Sequence, residues 1–160
     1  MQKTNAMRVL DARRISYSAF EYDDAIHSGA GVAEALGIPA GQVFKTLVVM
    51  RERGRPVLAI IPSDQELDLK RMAAAAGEKR VRMATQREAE AKTGLLVGGI
   101  SALALLDKGF DVFLDASAHG FEEIYVSAGQ RGINLRLRVA DLIAVTKAQP
   151  APIASAPQSV

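Results

Sequence analysis

Apolar residues recur along the chain with two periods, near 3.6 and near 2, and these divide it into alternating helices and strands. Thr4 stands where it can cap a helix reaching about Arg14, with Met7 and Leu10 on the apolar stripe. Residues 15–22 alternate as a strand, and a short helix Gly29–Leu36 follows, stopped by Gly37 in the left-handed conformation. Residues 43–50 (VFKTLVVM) form a nearly continuous apolar run, the pattern of a strand covered on both faces. A polar, glycine-containing loop at 51–55 turns the chain into a returning strand at 56–62. Good helix formers at 68–76 stop at Gly77, residues 79–84 read as a short strand, and Thr85 with Glu88 has capping-box spacing for a helix over 86–92. Asp111–Asp115 and Glu123–Ser127 are predicted strands separated by a loop at 116–120. A glycine-bounded turn at 128–132 leads to the alternating strand 133–137, and a helix over 139–147 closes the pattern.

The alternation argues for an α/β or α+β fold rather than a helical bundle. With 160 residues, 49% of them hydrophobic, the chain can bury one core, so a single domain over residues 1–148 is expected. The remaining stretch, 149–160, is rich in Pro, Ala, Ser and Gln and is predicted to be disordered.

Composition narrows the chemistry. The chain has no cysteine, which removes a thiol nucleophile, a disulfide framework and thiolate metal sites. Its two histidines, His27 and His119, lie far apart in sequence, and each reads as a solvated loop residue. Asp111 and Asp115 flank an apolar strand without a third ligand at a recognisable spacing, so no metal is expected. Met1-Gln2-Lys3-Thr4 lacks the apolar core of a signal peptide and no run approaches a membrane span, so a cytoplasmic protein is expected. Net charge is only +2, yet Lys70, Arg71, Lys79, Arg80, Arg82, Arg87 and Lys92 outnumber the acids between Asp68 and Lys92. That surplus reads either as a phosphate-facing patch or as solvated helix surface.

Two stretches depart from what a bland core requires. Lys45 sits inside the apolar run, so its ammonium must snorkel to water, pair with a carboxylate or occupy a pocket. Gly98-Gly99 interrupts the apolar segment 93–101, which implies either a tight bend or a backbone brought close to a ligand.

Three segments taken together, Val43-Phe44-Lys45-Thr46-Leu47, residues 93–101 (TGLLVGGIS) and residues 124–132 (IYVSAGQRG), resemble the YbaK/EbsC family of free-standing Cys-tRNA(Pro) deacylases. These are relatives of the editing domain inserted in bacterial prolyl-tRNA synthetases. The likeness also takes in Leu67-Asp68-Leu69-Lys70 and runs from about Arg8 to Lys147. It implies a single α+β domain with a mixed, mostly antiparallel sheet surrounded by helices. It implies trans-editing: hydrolysis of the ester of mischarged tRNA, chiefly Cys-tRNA(Pro), with the substrate's own thiol attacking and the protein supplying position and oxyanion stabilisation. Aminoacyl-tRNA is then the substrate, prolyl-tRNA synthetase a transient partner, and no cofactor is required. The resemblance assigns Lys45, Gly98 and Gly99 to catalysis, and Phe20, Thr46, Ser127 and Asn134 to substrate binding. Ser127 also reads as a strand-end hydroxyl satisfying a backbone group.

The departures from the family pattern cluster at the amino-acid pocket. Asn134 stands where the cysteine-specific members carry aspartate, Phe20 where a tyrosine is common (with Tyr22 close by), His27-Ser28 where an aromatic is usual, and Ala102 where proline follows the serine. Two alternatives therefore stand beside the cysteine reading. One is deacylation of another small amino acid (Ala, Ser or a non-protein residue) on tRNA(Pro). The other is a non-catalytic module that binds tRNA or a synthetase.

Overall fold

The pairing of three central strands organises the molecule. The structure, a computed structural model, describes residues 1–157. In chain order the helices are α1 (Asn5–Ala12), α2 (Gly29–Leu36), α3 (Leu69–Ala76), α4 (Gln86–Thr93) and α5 (Val139–Thr146). The strands are β1 (Ser18–Glu21), β2 (Phe44–Arg51), β3 (Val57–Pro62), β4 (Glu66–Leu67), β5 (Val81–Met83), β6 (Asp111–Asp115), β7 (Glu123–Ser127), β8 (Ile133–Arg138), β9 (Gln149–Ala151) and β10 (Ala154–Ser155). A 3-10 segment, Ala102–Lys108, fills the stretch before β6 to which the sequence assigns no element.

One sheet has the order β5-β2-β3-β6-β9, a second β1-β8-β7, and β10 pairs with β4. β6 runs parallel to both β3 and β9, and the other ladders are antiparallel, so the fold is α+β with a mixed, mostly antiparallel sheet, as expected. A parallel bridge between Val43 and Tyr125 ties the two larger sheets together at the start of β2.

β3 is buried along its whole length because it is central and covered on both faces. Leu58 and Ile60 point into the main core with Leu10, Leu103, Leu135 and Leu142. Val57, Ala59 and Ile61 point the other way, into a second cluster with Met72, Phe113 and Ile153. That two-sided burial explains the continuous apolar pattern of 56–62. The helix caps follow the sequence closely. Thr4, Ser28, Asp68 and Thr85 accept from backbone N–H groups at the starts of α1 to α4, and Gly37, Gly77 and Gly94 adopt left-handed conformations at helix ends.

The carboxyl-terminal stretch departs from the expectation of disorder. Gln149–Ala151 pairs with β6 and Ala154–Ser155 with β4. Composition misses this because one apolar residue and one distant carboxylate hold the segment. Ile153 is fully buried in the second cluster, and the buried Asp115 carboxylate accepts from the Ile153 and Ala154 N–H groups at 3.0 and 2.9 Å. Residues 158–160 of the predicted tail lie outside the described residues.

Candidate active site

β2 has a partner along one edge and a gap along the other. Phe44 to Val49 pair with β3, but on the opposite side the ladder holds only Val49–Arg51 against β5 and the single bridge at Val43. In an extended strand alternate residues turn their N–H and C=O groups to alternate edges. The Val43 carbonyl accepts from Ser63 on the β3 side, whereas the Val48 carbonyl accepts from Ala84 on the other. The Thr46 N–H and C=O therefore face the gap, where no strand meets them. A cavity of about 380 Å³ opens there.

Lys45, Thr46, Gly98, Ser127 and Asn134 all line this cavity. Phe20 and Gly99 do not. Phe20 lies on the same face as Asn134 but its ring packs on Tyr125, centroids 5.5 Å apart, beneath the Arg136 guanidinium at 5.3 Å. Tyr22, two residues on, takes the lining position. The signal lies in the strand's alternation, which puts residues 20 and 22 on one face with 22 nearer the strand's end.

The glycine pair divides its work. Gly98 has φ +95°, and a Cβ there would lie 3.3 Å from His27 Cα and 3.4 Å from Arg131 Nε. Gly99 lets two backbones meet: a Cβ there would fall 2.8 Å from the Arg131 nitrogen and the Gln130 carbonyl carbon. Its N–H is already committed to the Leu96 carbonyl at 2.8 Å. The Gly98 N–H has no acceptor among the described residues, so of the pair it alone remains free to donate to a ligand. The bend is held from both sides, by Glu90 accepting from the Val97 N–H (2.9 Å) and by Arg131 Nε donating to the Val97 carbonyl (2.7 Å). No sequence spacing points to Glu90 or Arg131.

Lys45 resolves its three options by occupying the pocket. Its Nζ lies 3.4 Å from the Ser63 carbonyl oxygen, a weak contact, and it forms no ion pair among the described residues. Partial burial lowers its pKa from the ordinary lysine value, while the charges of Glu66 and Asp64 oppose that shift. The ammonium is thus only partly desolvated and has donors to spare.

Ser127 and Asn134 are directly opposed across β7 and β8. The Ser127 hydroxyl accepts from the Gly129 N–H at 3.2 Å, the strand-end role read from the sequence, and its own hydrogen stays available. Asn134 is only 4% exposed, and its Oδ1 is buried with no hydrogen-bond partner. An unmet buried acceptor is costly. His27 lines the cavity from an exposed position, whereas His119 lies away from it.

Met83, Ala84, Gln86 and Val97 also line the cavity, and Met83 keeps 38% of its surface exposed. The Thr85–Glu88 capping box fixes the start of α4, and Arg82 grips Glu88 through two bonds of 2.8 Å. Of the basic residues between 68 and 92, Arg71, Arg80 and Arg82 pair with Asp68, Glu52 and Glu88. Lys70, Lys79, Arg87 and Lys92 have no carboxylate partner among the described residues. No group of three or more potential metal ligands occurs among those residues, and none of their helices is long and apolar enough to cross a membrane.

An unpaired strand edge, a free ammonium, one free glycine N–H and a buried amide oxygen without a partner meet at this cavity. Residues 23–145 match the aminoacyl-tRNA editing domain, and the chain belongs to that family. It is 41% identical over 95% of its length to EbsC of Enterococcus faecalis, covering 93% of that protein, which bears a provisional name as a Cys-tRNA(Pro)/Cys-tRNA(Cys) deacylase. It is 31% identical to the multifunctional Ser/Thr-tRNA deacylase ProXp-y of Escherichia coli, over 79% of this chain and 77% of that one. A solved structure described as a candidate trans-editing enzyme for prolyl-tRNA synthetase superposes with a TM-score of 0.81 at 25% identity, covering 97% of this chain and 99% of the other.

Proposed function

We propose that this protein is a trans-editing deacylase that hydrolyses the ester of Cys-tRNA(Pro). The observation that carries the reading is the convergence of the Lys45 ammonium and the free Gly98 N–H on a cavity where no hydroxyl is hydrogen-bonded to a histidine among the described residues. Such a site has donors for a developing oxyanion but lacks an activated nucleophile of its own.

In this reading Lys45 and Gly98 donate to the ester carbonyl oxygen, while Thr46, Ser127 and Asn134 orient the aminoacyl group. The substrate thiol, as thiolate, bonds to the carbonyl carbon. The bond to the ribose oxygen breaks and that oxygen takes up a proton. Water then opens the four-membered thiolactone to free cysteine. Gly99 supports the bend rather than the oxyanion, and Tyr22 rather than Phe20 contributes the aromatic edge. The unpaired basic residues Lys70, Lys79, Arg87 and Lys92 meet tRNA phosphates, with prolyl-tRNA synthetase as a transient cytoplasmic partner.

A second reading, removal of serine or another small residue, is favoured by the likeness to ProXp-y and by the uncharged Asn134. The deciding experiment is deacylation of Cys-, Ala- and Ser-tRNA(Pro) by the wild type and Lys45→Ala. The expectation is cleavage of the cysteine ester at least about tenfold faster than the others, with a loss in the mutant of about 1.4 kcal/mol for each factor of ten. Preferential cleavage of the serine ester would select the second reading. Binding of tRNA without cleavage of any ester would leave a non-catalytic module.

A further inference from the structure

A second hollow, of about 380 Å³, lies where the turn between β2 and β3 meets the end of α4 and the start of β6. Gly54, Arg55, Pro56, Lys92, Lys108 and Phe110 line it. It shares α4 with the cavity described above. Ala89 lines the cavity, and Lys92, about 4.5 Å further along the helix axis, lines the hollow.

The Arg55 guanidinium is fixed in place before any ligand arrives. Its Nη1 donates to the Lys108 carbonyl at 2.7 Å, across a backbone that only glycine allows. A Cβ at Gly109 would run into Nη1, and Gly109 itself holds a φ of +74°. Arg51 Nε donates to the Arg55 carbonyl at 2.6 Å and braces the turn. The other N–H groups of the Arg55 guanidinium have no acceptor among the described residues.

The hollow stays cationic because the nearby acids are engaged elsewhere. Asp111, next to Phe110, pairs with Arg51 at 3.3 Å, and Glu52 pairs with Arg80 at 3.4 Å. Arg55, Lys92 and Lys108 form no ion pair among the described residues, and Asp107 does not line the hollow. The carboxyl-terminal end of α4 favours a cation, which accounts for Lys92 alone. Three unpaired cations around one concave surface repel one another, and the concavity concentrates their field on an entering anion. Between them the floor is apolar, with Pro56 buried and Phe110 half-buried. A planar guanidinium with free N–H groups matches two oxygens of one phosphate, and an apolar floor accepts the sugar beside it.

Resting on the deacylase reading above, we propose that this hollow is a phosphate-binding subsite for the body of the tRNA. Arg55 grips one phosphate by paired hydrogen bonds, and Lys92 and Lys108 neutralise its neighbours. Arg55 and Lys108 thereby join Lys92 among the residues that meet tRNA, at a place separate from the cavity.

Binding of tRNA(Pro) trimmed of its 3′-terminal CCA, followed by fluorescence anisotropy over a range of salt, keeps both the cavity and catalysis out of the measurement. With the full chain, Arg55→Gln/Lys108→Gln should weaken binding about tenfold at about 0.1 M salt. It should also make the slope of log K against log salt shallower by about 2. Arg138→Gln/Lys147→Gln removes the same charge from residues that line neither the cavity nor the hollow, and should change binding by less than about twofold. Gly109→Ala keeps every charge but displaces the guanidinium, and should weaken binding about threefold. Thermal melts establish that each variant is folded. Unchanged binding and slope in Arg55→Gln/Lys108→Gln, or equal losses in the two double variants, would overturn the proposal. Absence of saturable tRNA binding would overturn it as well. So would loss of poly-glutamate binding without loss of tRNA binding, which would assign the hollow to an acidic protein surface. The expected losses in a chain that cleaves no aminoacyl ester would refute the deacylase reading and leave the phosphate subsite standing.

Discussion

Asn134 and Ser127 are cross-strand partners at the floor of the cavity, and they differ in what they lack. The serine oxygen already accepts from the Gly129 N–H, whereas the asparagine oxygen is buried with nothing to accept from. An orphaned buried acceptor costs about 1–3 kcal/mol in the free protein, and a ligand that meets it recovers that cost on binding. Leucine is close to asparagine in shape and carries no such unmet group. Asn134→Leu should therefore keep or raise Tm while lowering kcat/KM at least about tenfold, mainly through KM. Thermal melts and steady-state deacylation of the same preparation check the pair of effects. A variant that loses stability and activity together would make Asn134 a structural residue.

The role proposed for Lys45 carries a pH dependence. Burial lowers its pKa below the ordinary lysine value, and Glu66, then Asp64, oppose the shift. With the ammonium as the proposed donor, kcat/KM should fall on the alkaline side at a pH below 10.5. Glu66→Gln removes an opposing charge and should move that limb to lower pH, with the plateau unchanged. The stability consequence has the opposite sign to that of a paired lysine. A cation whose pKa is depressed by folding destabilises the protein in full below its folded pKa, and the penalty fades as pH rises from that value to the ordinary lysine value. Lys45→Met should accordingly be at least as stable as wild type at neutral pH and inactive.

The two neighbouring glycines should fail differently. A methyl group at Gly99 would sit 2.8 Å from the backbone of residues 130 and 131, which cannot yield as a side chain can. Gly99→Ala should cost about 1–3 kcal/mol of stability and displace the Arg131 loop. Gly98→Ala must hold a left-handed φ of +95° at a cost of about 1–2 kcal/mol, and its methyl group would press on His27 at the cavity wall. Rescue separates them. A stabilising background should restore activity to Gly99→Ala but not to Gly98→Ala, read as activity at equal total protein.

Much of the fold is legible in the amino-acid sequence, because the decisive signals are local. Caps at Thr4 and Thr85, left-handed stops at Gly37, Gly77 and Gly94, and the apolar run around Lys45 are each written within a few residues. The site is legible where a residue breaks its surroundings, as Lys45 and Gly98 do. It is not legible where long-range packing decides. Whether Phe20 or Tyr22 meets the cavity depends on how β1 registers against β8, and the commitment of the Gly99 N–H depends on how the bend closes on Leu96. Glu90 and Arg131 support the bend from separate elements, with no spacing to connect them.

The carboxyl-terminal segment shows the same limit and yields a further test. Its composition reads as disorder, yet Asp115 reaches across to hold it. One carboxylate oxygen accepts from the Ile153 and Ala154 N–H groups, and the other accepts from the Ser117 N–H at 3.2 Å. Hydrogen bonds to a charged acceptor contribute about 1.5–3 kcal/mol each. Burial of a whole isoleucine side chain contributes a further amount of about 1.5–3 kcal/mol. Deleting residues 149–160 should thus lower stability by several kcal/mol, and Asp115→Ala in the full chain by about 2–4 kcal/mol, with KM for charged tRNA unchanged because neither Asp115 nor any described residue of the segment lines the cavity. The two effects should not add. Once the segment is gone, Asp115 has lost its acceptor role towards Ile153 and Ala154, so Asp115→Ala should cost less in the truncated chain than in the full one. A denaturant double-mutant cycle measures that coupling. Additive losses would mean that Asp115 acts through Ser117 alone, and an unchanged Tm on truncation would restore the disordered tail that composition implies.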